Sequence, residues 1–128
     1  MSSNELLTHL VLNVDQLELE PWPIPRGENG VTIHGDPEYS GKFLHRSDDG
    51  RTLMGIERLG PCTLTGVHAG ETLYFLEGRV RCTPEGGEPY TLGKGDFCWF
   101  PVGVADVWEI EETYVKLFSV TVPEELAT

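Results

Sequence analysis

Basic residues are scarce in this sequence: nine Lys and Arg stand against 21 Asp and Glu, which gives a net charge of −12 with His neutral. Phosphate backbones and anionic lipid surfaces bind basic proteins, so we expect neither a nucleic acid nor a membrane partner. Long hydrophobic runs are also absent, and none approaches the roughly 18 apolar residues of a membrane helix. The first dozen residues lack the basic start and cleavage pattern of a secretory signal. Together these absences predict a cytoplasmic protein.

Cysteine is scarce too, with Cys62, Cys82 and Cys98 as the full set. An odd number of cysteines cannot pair completely within one chain, and their spacing matches no zinc motif. We therefore expect reduced thiols, which agrees with a cytoplasmic location.

Glycine and proline, in contrast, are abundant: 15 Gly and 9 Pro make up about 19% of the chain, against an average near 12%. Short apolar runs recur about every 8–12 residues between turn sequences, and no long amphipathic helix interrupts them. A chain of 128 residues fits one domain, and this pattern predicts an all-β sandwich or barrel. The predicted strands are Val31–His34, Gly41–Arg46, Thr52–Leu59, Thr72–Leu76, Arg79–Thr83, Tyr90–Leu92, Asp96–Phe100, Val107–Ile110 and Tyr114–Val122.

The residues before this regular pattern predict an extended N-terminal arm. Three alternating prolines within Pro21–Pro25 exclude a helix or a central strand. Trp22 and Ile24 favour an arm that packs on the barrel over a plain linker. Further upstream, the sequence fits either a short helix beginning near Ser2 or a strand before Glu20. The predicted organisation is an arm over 1–30, a barrel over 31–122 and a tail over 123–128.

Two segments resemble the two sequence motifs of the cupin superfamily. In the first, Glu71 and Gly78 have the spacing of a motif that runs G-x5-H-x-H-x(3,4)-E-x6-G. In the second, Gly95, Pro101 and Gly103 match a motif that runs G-x5-P-x-G-x2-H-x3-N. Over roughly residues 31–120 the chain most resembles small single-domain cupins of the ethanolamine-utilisation-protein-like and ureidoglycine-aminohydrolase-like group. The resemblance implies a single jelly-roll barrel, also called a double-stranded β-helix, with a small-molecule pocket inside it. It also implies that two such chains form a homodimer.

The resemblance also implies a test for a metal, because metal-binding cupins use three histidines and one glutamate inside the barrel. Glu71 matches the glutamate, but Asp106 stands at the position of the third histidine. The other two histidines would precede Glu71 by four to seven residues, where this sequence has Leu64, Thr65, Gly66 and Val67. The sequence therefore does not decide whether a cofactor is bound, and it favours a barrel without a metal ion. The alternative is a non-standard metal site of His68, Glu71 and Asp106.

The same three residues are the candidate catalytic groups. His68 lies on a loop between Gly66 and Gly70, which would allow it to reach the barrel mouth. Two carboxylates that face one apolar pocket repel each other, so one of them would hold a proton and serve as an acid or base. The alternatives are an exposed loop position for His68, a surface position for Glu71 and a turn position for Asp106.

Aromatic residues are the candidates for binding a substrate. Alternation along the strands points Phe75 and Trp108 inward, and Phe100 belongs to the same predicted pocket. Tyr74 would add a hydrogen-bond donor, although its odd spacing from Glu71 favours outward packing. The alternative is that these aromatic side chains simply form the barrel core.

Three functions remain open at this point. The first is an enzyme of acid/base type that catalyses isomerisation, elimination or hydrolysis of a small molecule. The second is a non-catalytic ligand-binding or accessory cupin. The third is a metal-dependent cupin with the non-standard site. In each case we expect a homodimer, in which the apolar arm reaches a neighbouring subunit.

Overall fold

A computed structural model describes residues 11–121, in which the regular elements are strands apart from one short 3₁₀ turn at Val14–Gln16. This confirms the predicted all-β class and its jelly-roll architecture. The described strands are β1 (Glu20–Pro21), β2 (Val31–His34), β3 (Tyr39–Arg46), β4 (Thr52–Leu59), β5 (Cys62–Val67), β6 (Glu71–Pro84), β7 (Tyr90–Gly93), β8 (Phe97–Phe100) and β9 (Ala105–Thr121).

The predicted helix near Ser2 and the predicted tail over 123–128 lie outside the described residues. The predicted division into arm, barrel and tail, the homodimer and the cytoplasmic location stay predictions. Within residues 11–121 there is no helix with the length and apolar character that a membrane crossing needs.

Two long strands, β6 and β9, form the centre of a strongly curled antiparallel sheet. The other edge of β9 pairs with β4 over its second half and with β5 over its first half. The other edge of β6 pairs with β8 and then with β7. Outside these strands, β3 pairs with β4 and β2 pairs with β5. The two long strands thus connect both halves of the barrel, and their inward faces meet inside it.

Two predicted strand breaks are wrong, because β6 and β9 each run without interruption where the sequence suggests two strands. Gly78 does not turn the chain; it lies inside β6 at φ +104°, where the pairing with β9 shifts register. An added Cβ at Gly78 would lie 2.5 Å from the Cα of Tyr114. A bulge at this glycine changes which alternate residues face inward, so Leu73 and Phe75 are buried before it and Val80 and Cys82 after it.

The patterning also misses β5, which lies between β2 and β9. Threonine and glycine make up half of β5, so the strand is only half-buried and lacks a clear apolar signal. Its Gly66 packs closely against the backbone just before β2, where an added Cβ would lie 2.7 Å from the carbonyl oxygen of Gly30.

The core fills the space between the inward faces of β6, β9 and their neighbours. Its largest fully buried side chains are Trp108, Tyr114 and Phe75. Two arm residues, Trp22 and Ile24, pack against this core from outside the strands. The Trp22 ring stacks on Phe43 with centroids 4.8 Å apart.

Backbone hydrogen bonds hold the arm in this position. The amide of Trp22 donates to the carbonyl of Tyr39, and the amide of Ile33 donates to the carbonyl of Pro25. β1 adds a short antiparallel pairing with β3 of the same chain. The part of the arm from Glu20 to Pro25 therefore lies against its own barrel.

Candidate functional site

A cavity of roughly 500 Å³ opens beside the arm, and it is large enough for a small organic molecule. Most of its wall is apolar, and its ionisable side chains include His68, Glu71, Lys116 and Glu57. The arm contributes to the wall from the solvent side. Its contributing residues are Trp22, Pro23, Ile24, Pro25, Glu28 and Asn29.

His68 follows β5 and is fixed by contacts on three sides. Its amide donates to the carbonyl of Val104 and its carbonyl accepts from the amide of Gly103, which ties its loop to the loop before β9. The imidazole stacks on Phe100 with centroids 4.2 Å apart and planes 8° from parallel. Its Nε2 lies 2.6 Å from Oδ2 of Asp106 at the start of β9.

Asp106 is buried and accepts from several donors at one oxygen. Its Oδ2 also accepts from Nε1 of Trp108 at 3.1 Å and from Sγ of Cys82 at 3.6 Å. A carboxylate surrounded by donors requires that His68 present a proton at Nε2. The neutral imidazole then keeps its lone pair on Nδ1, which lies 3.8 Å from Oε1 of Glu71. Asp106 itself is behind this imidazole and not part of the cavity wall.

Glu71 begins β6 and connects His68 to a second polar group. Its other oxygen, Oε2, accepts from Nζ of Lys116 at 3.1 Å. The same Nζ lies 3.5 Å from Oε1 of Glu57 on β4. Lys116 is buried, with a side chain only 7% exposed. Burial opposes its charged form, but the nearby carboxylates of Glu71 and Glu57 raise the pKa of Lys116 above its usual value.

Two tyrosines complete this polar network by donating to Glu57. The hydroxyl of Tyr39 donates to Oε2 at 2.9 Å, and the hydroxyl of Tyr114 donates to Oε1. Burial, together with the negative charge of Glu57, raises the pKa of both tyrosines well above the usual value. Both therefore stay neutral donors, and they hold Glu57 in place as an acceptor for Lys116.

The structure brings the three candidate catalytic residues, His68, Glu71 and Asp106, into one connected group. Among the candidate substrate-binding residues, only Trp108 lies in the cavity wall. Phe75 and Phe100 pack behind it, with ring centroids 6.0 and 5.8 Å from Trp108. Tyr74 is 40% exposed, and the cavity wall does not include it.

Sequence reasoning missed Glu57, Lys116 and the two tyrosines that serve them. Lys116 carried a signal: counting by two from Asp106 along one unbroken strand leads through Trp108 and Tyr114 to Lys116. The predicted break after Ile110 ended that count too early. Glu57 offered a weaker signal, because of its same-face neighbours two residues away, Gly55 and Leu59, only Leu59 carries an apolar side chain.

The residues present do not fit the three-histidine metal site that the cupin resemblance implies. His68 is the single histidine in the cavity wall, and its Nε2 is engaged by Asp106. Glu71 is paired with a cation already, the ammonium of Lys116. Among residues 11–121, no group of three or more His, Cys, Asp or Glu side chains is arranged to hold a metal ion.

Comparisons with known proteins agree with the fold. A protein of unknown function from Pseudomonas syringae is 21% identical with a TM-score of 0.71, over 83% of this chain and 45% of its own. The EutQ protein of Clostridium difficile is 12% identical with a TM-score of 0.57, over 67% of this chain and 64% of its own. The polyketide cyclase RemF of Streptomyces resistomycificus is 15% identical with a TM-score of 0.64, over 91% and 81%.

These likenesses concern the fold alone. A comparison with curated proteins found no significant match. The family model of the EutQ-like cupin domain, in contrast, matches residues 46–118, more than half of the chain, and this range includes Glu57, His68, Glu71, Asp106 and Lys116. Together with the curled antiparallel barrel, this match shows that the chain belongs to the EutQ-like cupin family.

Proposed function

We propose that this cupin binds a small organic molecule in its cavity and catalyses proton transfer on it, with His68 as the base that takes and returns the proton and the Glu71 carboxylate beside it as its partner. The observation that carries the proposal is the 3.8 Å separation between Nδ1 of His68 and Oε1 of Glu71 at the cavity wall. Neither atom forms a short direct hydrogen bond to the other. Both are therefore available to one ligand atom that lies between them and the cavity.

Asp106 supports this role by setting the tautomer of His68. Because Nε2 donates to the buried carboxylate, the lone pair on Nδ1 can accept a proton from the ligand. The imidazolium that forms would be stabilised by Asp106 at 2.6 Å on one side and by Glu71 on the other. The nearly parallel stacking on Phe100 limits rotation of the ring. Asp106 is thus a positioning residue.

Lys116 gives the reaction a fixed positive charge. Its ammonium lies in the cavity wall, where it can donate to a carbonyl or hydroxyl oxygen of the ligand. Removing a proton from the carbon next to a carbonyl builds negative charge on that oxygen, and a fixed cation stabilises such charge. This geometry favours isomerisation or elimination of a small carbonyl compound, with the apolar wall holding the rest of the ligand.

Deuterium exchange tests the proposal and does not require that the product be identified. The protein is incubated in D₂O with a panel of 2-oxo acids, hydroxyketones and simple ketones, and loss of the proton signal next to the carbonyl is followed by NMR. We expect exchange of at least one compound. His68→Gln should slow it by about 10²–10⁴-fold, the usual contribution of a general base, and Glu71→Gln should slow it as well.

The exposed His45 on β3 provides the matched control, because His45→Gln makes the same chemical change at a residue that does not line the cavity. This variant should exchange the ligand at the wild-type rate. Binding of a panel compound without exchange would contradict the catalytic proposal and favour a ligand-binding cupin. Equal exchange by wild type and His68→Gln would contradict the role of His68.

A further inference from the structure

The ammonium of Lys116 lies at the centre of the polar network, between the cavity on one side and a group of carboxylates and aromatic rings on the others. Two carboxylates, those of Glu71 and Glu57, lie 3.1 and 3.5 Å from Nζ. Three aromatic rings form the rest of this group, with centroids 5.1–5.9 Å from Nζ. These rings belong to Trp108, Tyr114 and Phe118. Carboxylate oxygens and aromatic faces both attract a cation.

The charge balance shows why this place requires a cation. Glu57 and Glu71 are both largely buried, with side chains 14% exposed, and without Lys116 they would form a pair of uncompensated negative charges. Burying an unpaired charge is costly, so such carboxylates are normally paired or coordinated to a metal. Here the ammonium of Lys116 pairs with both carboxylates.

The same ammonium opposes metal binding at Glu71. A divalent ion bound to this carboxylate would lie within a few ångströms of Nζ, and like charges at that distance repel strongly in a poorly solvated site. The nearest imidazole offers a metal one nitrogen at most, Nδ1 of His68, because Nε2 is engaged by Asp106. We infer that Lys116 takes the place of a metal ion in this barrel, with Glu71 and Glu57 as its counterions, and that its positive charge keeps divalent transition metals out.

A charge-removal experiment with Mn²⁺ and Zn²⁺ tests this inference independently of the proposed catalysis. Wild type and Lys116→Met are incubated with each metal and dialysed, and bound metal is measured by elemental analysis. Wild type should retain well under one equivalent. Lys116→Met, which keeps the length of the side chain but not its charge, should bind metal more tightly by about tenfold or more, because the repulsion is gone.

The double variant Lys116→Met with Glu71→Gln is the control, and it should lose the gain if Glu71 is the new ligand. If Lys116→Met alone does not fold, Lys116→Met with Glu57→Gln restores the net charge of the group and leaves Glu71 and His68 as donors. The same gain is expected there. Stoichiometric metal in wild type, or no gain in the folded Lys116 variants, would overturn the inference. These experiments measure bound metal and not deuterium exchange, so a negative result here would leave the proposed catalysis untouched, and the reverse also holds.

Discussion

Gly41 of β3 lies directly under the indole ring of Trp22, so that a methyl group added at Gly41 would come within 2.5 Å of the ring. The same indole stacks on Phe43, and Trp22 forms part of the cavity wall. The position of the arm over the cavity therefore depends on the absence of a side chain at Gly41. This relationship can be tested without touching the polar network.

Gly41→Ala should displace Trp22 and loosen the arm. We expect a loss of about 1–3 kcal/mol in the free energy of unfolding, the usual cost of overpacking, and faster tryptic cleavage after Arg26 as measured by mass spectrometry. Gly60→Ala is the matched control, because an added Cβ there would meet its nearest atoms at 3.5 Å, an ordinary contact. Equal cleavage rates in the two variants would show that the arm does not depend on this packing.

Cys82 should be the least reactive of the three thiols. It is fully buried, and burial raises its pKa to about 11, with the nearby Asp106 adding to the shift. At pH 8 only about one thousandth of such a thiol is the reactive thiolate. Alkylation with iodoacetamide, followed by mass spectrometry, should leave Cys82 unmodified while the half-buried Cys62 and Cys98 react slowly. All three should react after denaturation, and rapid labelling of native Cys82 would contradict the prediction.

Alternation and turn chemistry were enough to predict most of the barrel. They placed Phe75 and Trp108 on inward faces, and each is buried. The errors occur where local sequence conflicts with pairing. The run Glu111-Glu112-Thr113 looks like a turn, yet β9 continues through it because β6 pairs on both sides with a shift in register. A bulge of this kind depends on the partner strand, which the local pattern does not show.

The candidate site was harder to predict than the fold for a related reason. The sequence placed His68 and Asp106 in one candidate group with Glu71, but their direct contact depends on backbone hydrogen bonds between the loop at His68 and the loop at Gly103–Val104. Lys116 and Glu57 are charged residues whose inward position becomes clear only when each finds its partner across the barrel. Burial of charge is set by such distant pairs, and residue type alone favours the surface.

Tyr114→Phe should change how stability depends on alkaline pH. Burial and Glu57 raise the pKa of Tyr114 well above its usual value, so the folded protein keeps this proton where the unfolded chain loses it. The stability that Tyr114 contributes is therefore complete below about pH 10 and decreases as the pH rises further. At pH 7 the variant should be less stable by about 1–3 kcal/mol, because a hydrogen bond to a charged acceptor is lost.

Thermal unfolding at pH 7, 9, 10 and 11 provides the measurement. The difference in melting temperature between wild type and Tyr114→Phe should narrow above pH 10, since only wild type carries this titrating group. The shared lysines and the remaining tyrosines affect both proteins, so the difference isolates Tyr114. A difference that stays constant to pH 11 would show that the hydroxyl contributes no proton linkage.

Asp106→Asn should disturb the tautomer of His68 without removing a ring or opening a cavity. In wild type, Oδ2 faces donors from Trp108, Cys82 and His68, so the imidazole must carry its proton on Nε2. An amide can instead present its NH₂ group to the imidazole, which allows the proton to move to Nδ1.

Two-dimensional ¹H–¹⁵N NMR of the histidine rings distinguishes the tautomers. We expect Nε2–H in wild type, a mixed or Nδ1–H signal in the variant, and slower deuterium exchange of the ligand because Nδ1 is no longer a free base. His34, an exposed histidine bonded to Thr65, gives an internal reference that should not change. A signal from Nδ1–H in wild type would contradict the assignment of Nδ1 of His68 as the base and of Asp106 as the residue that sets its tautomer.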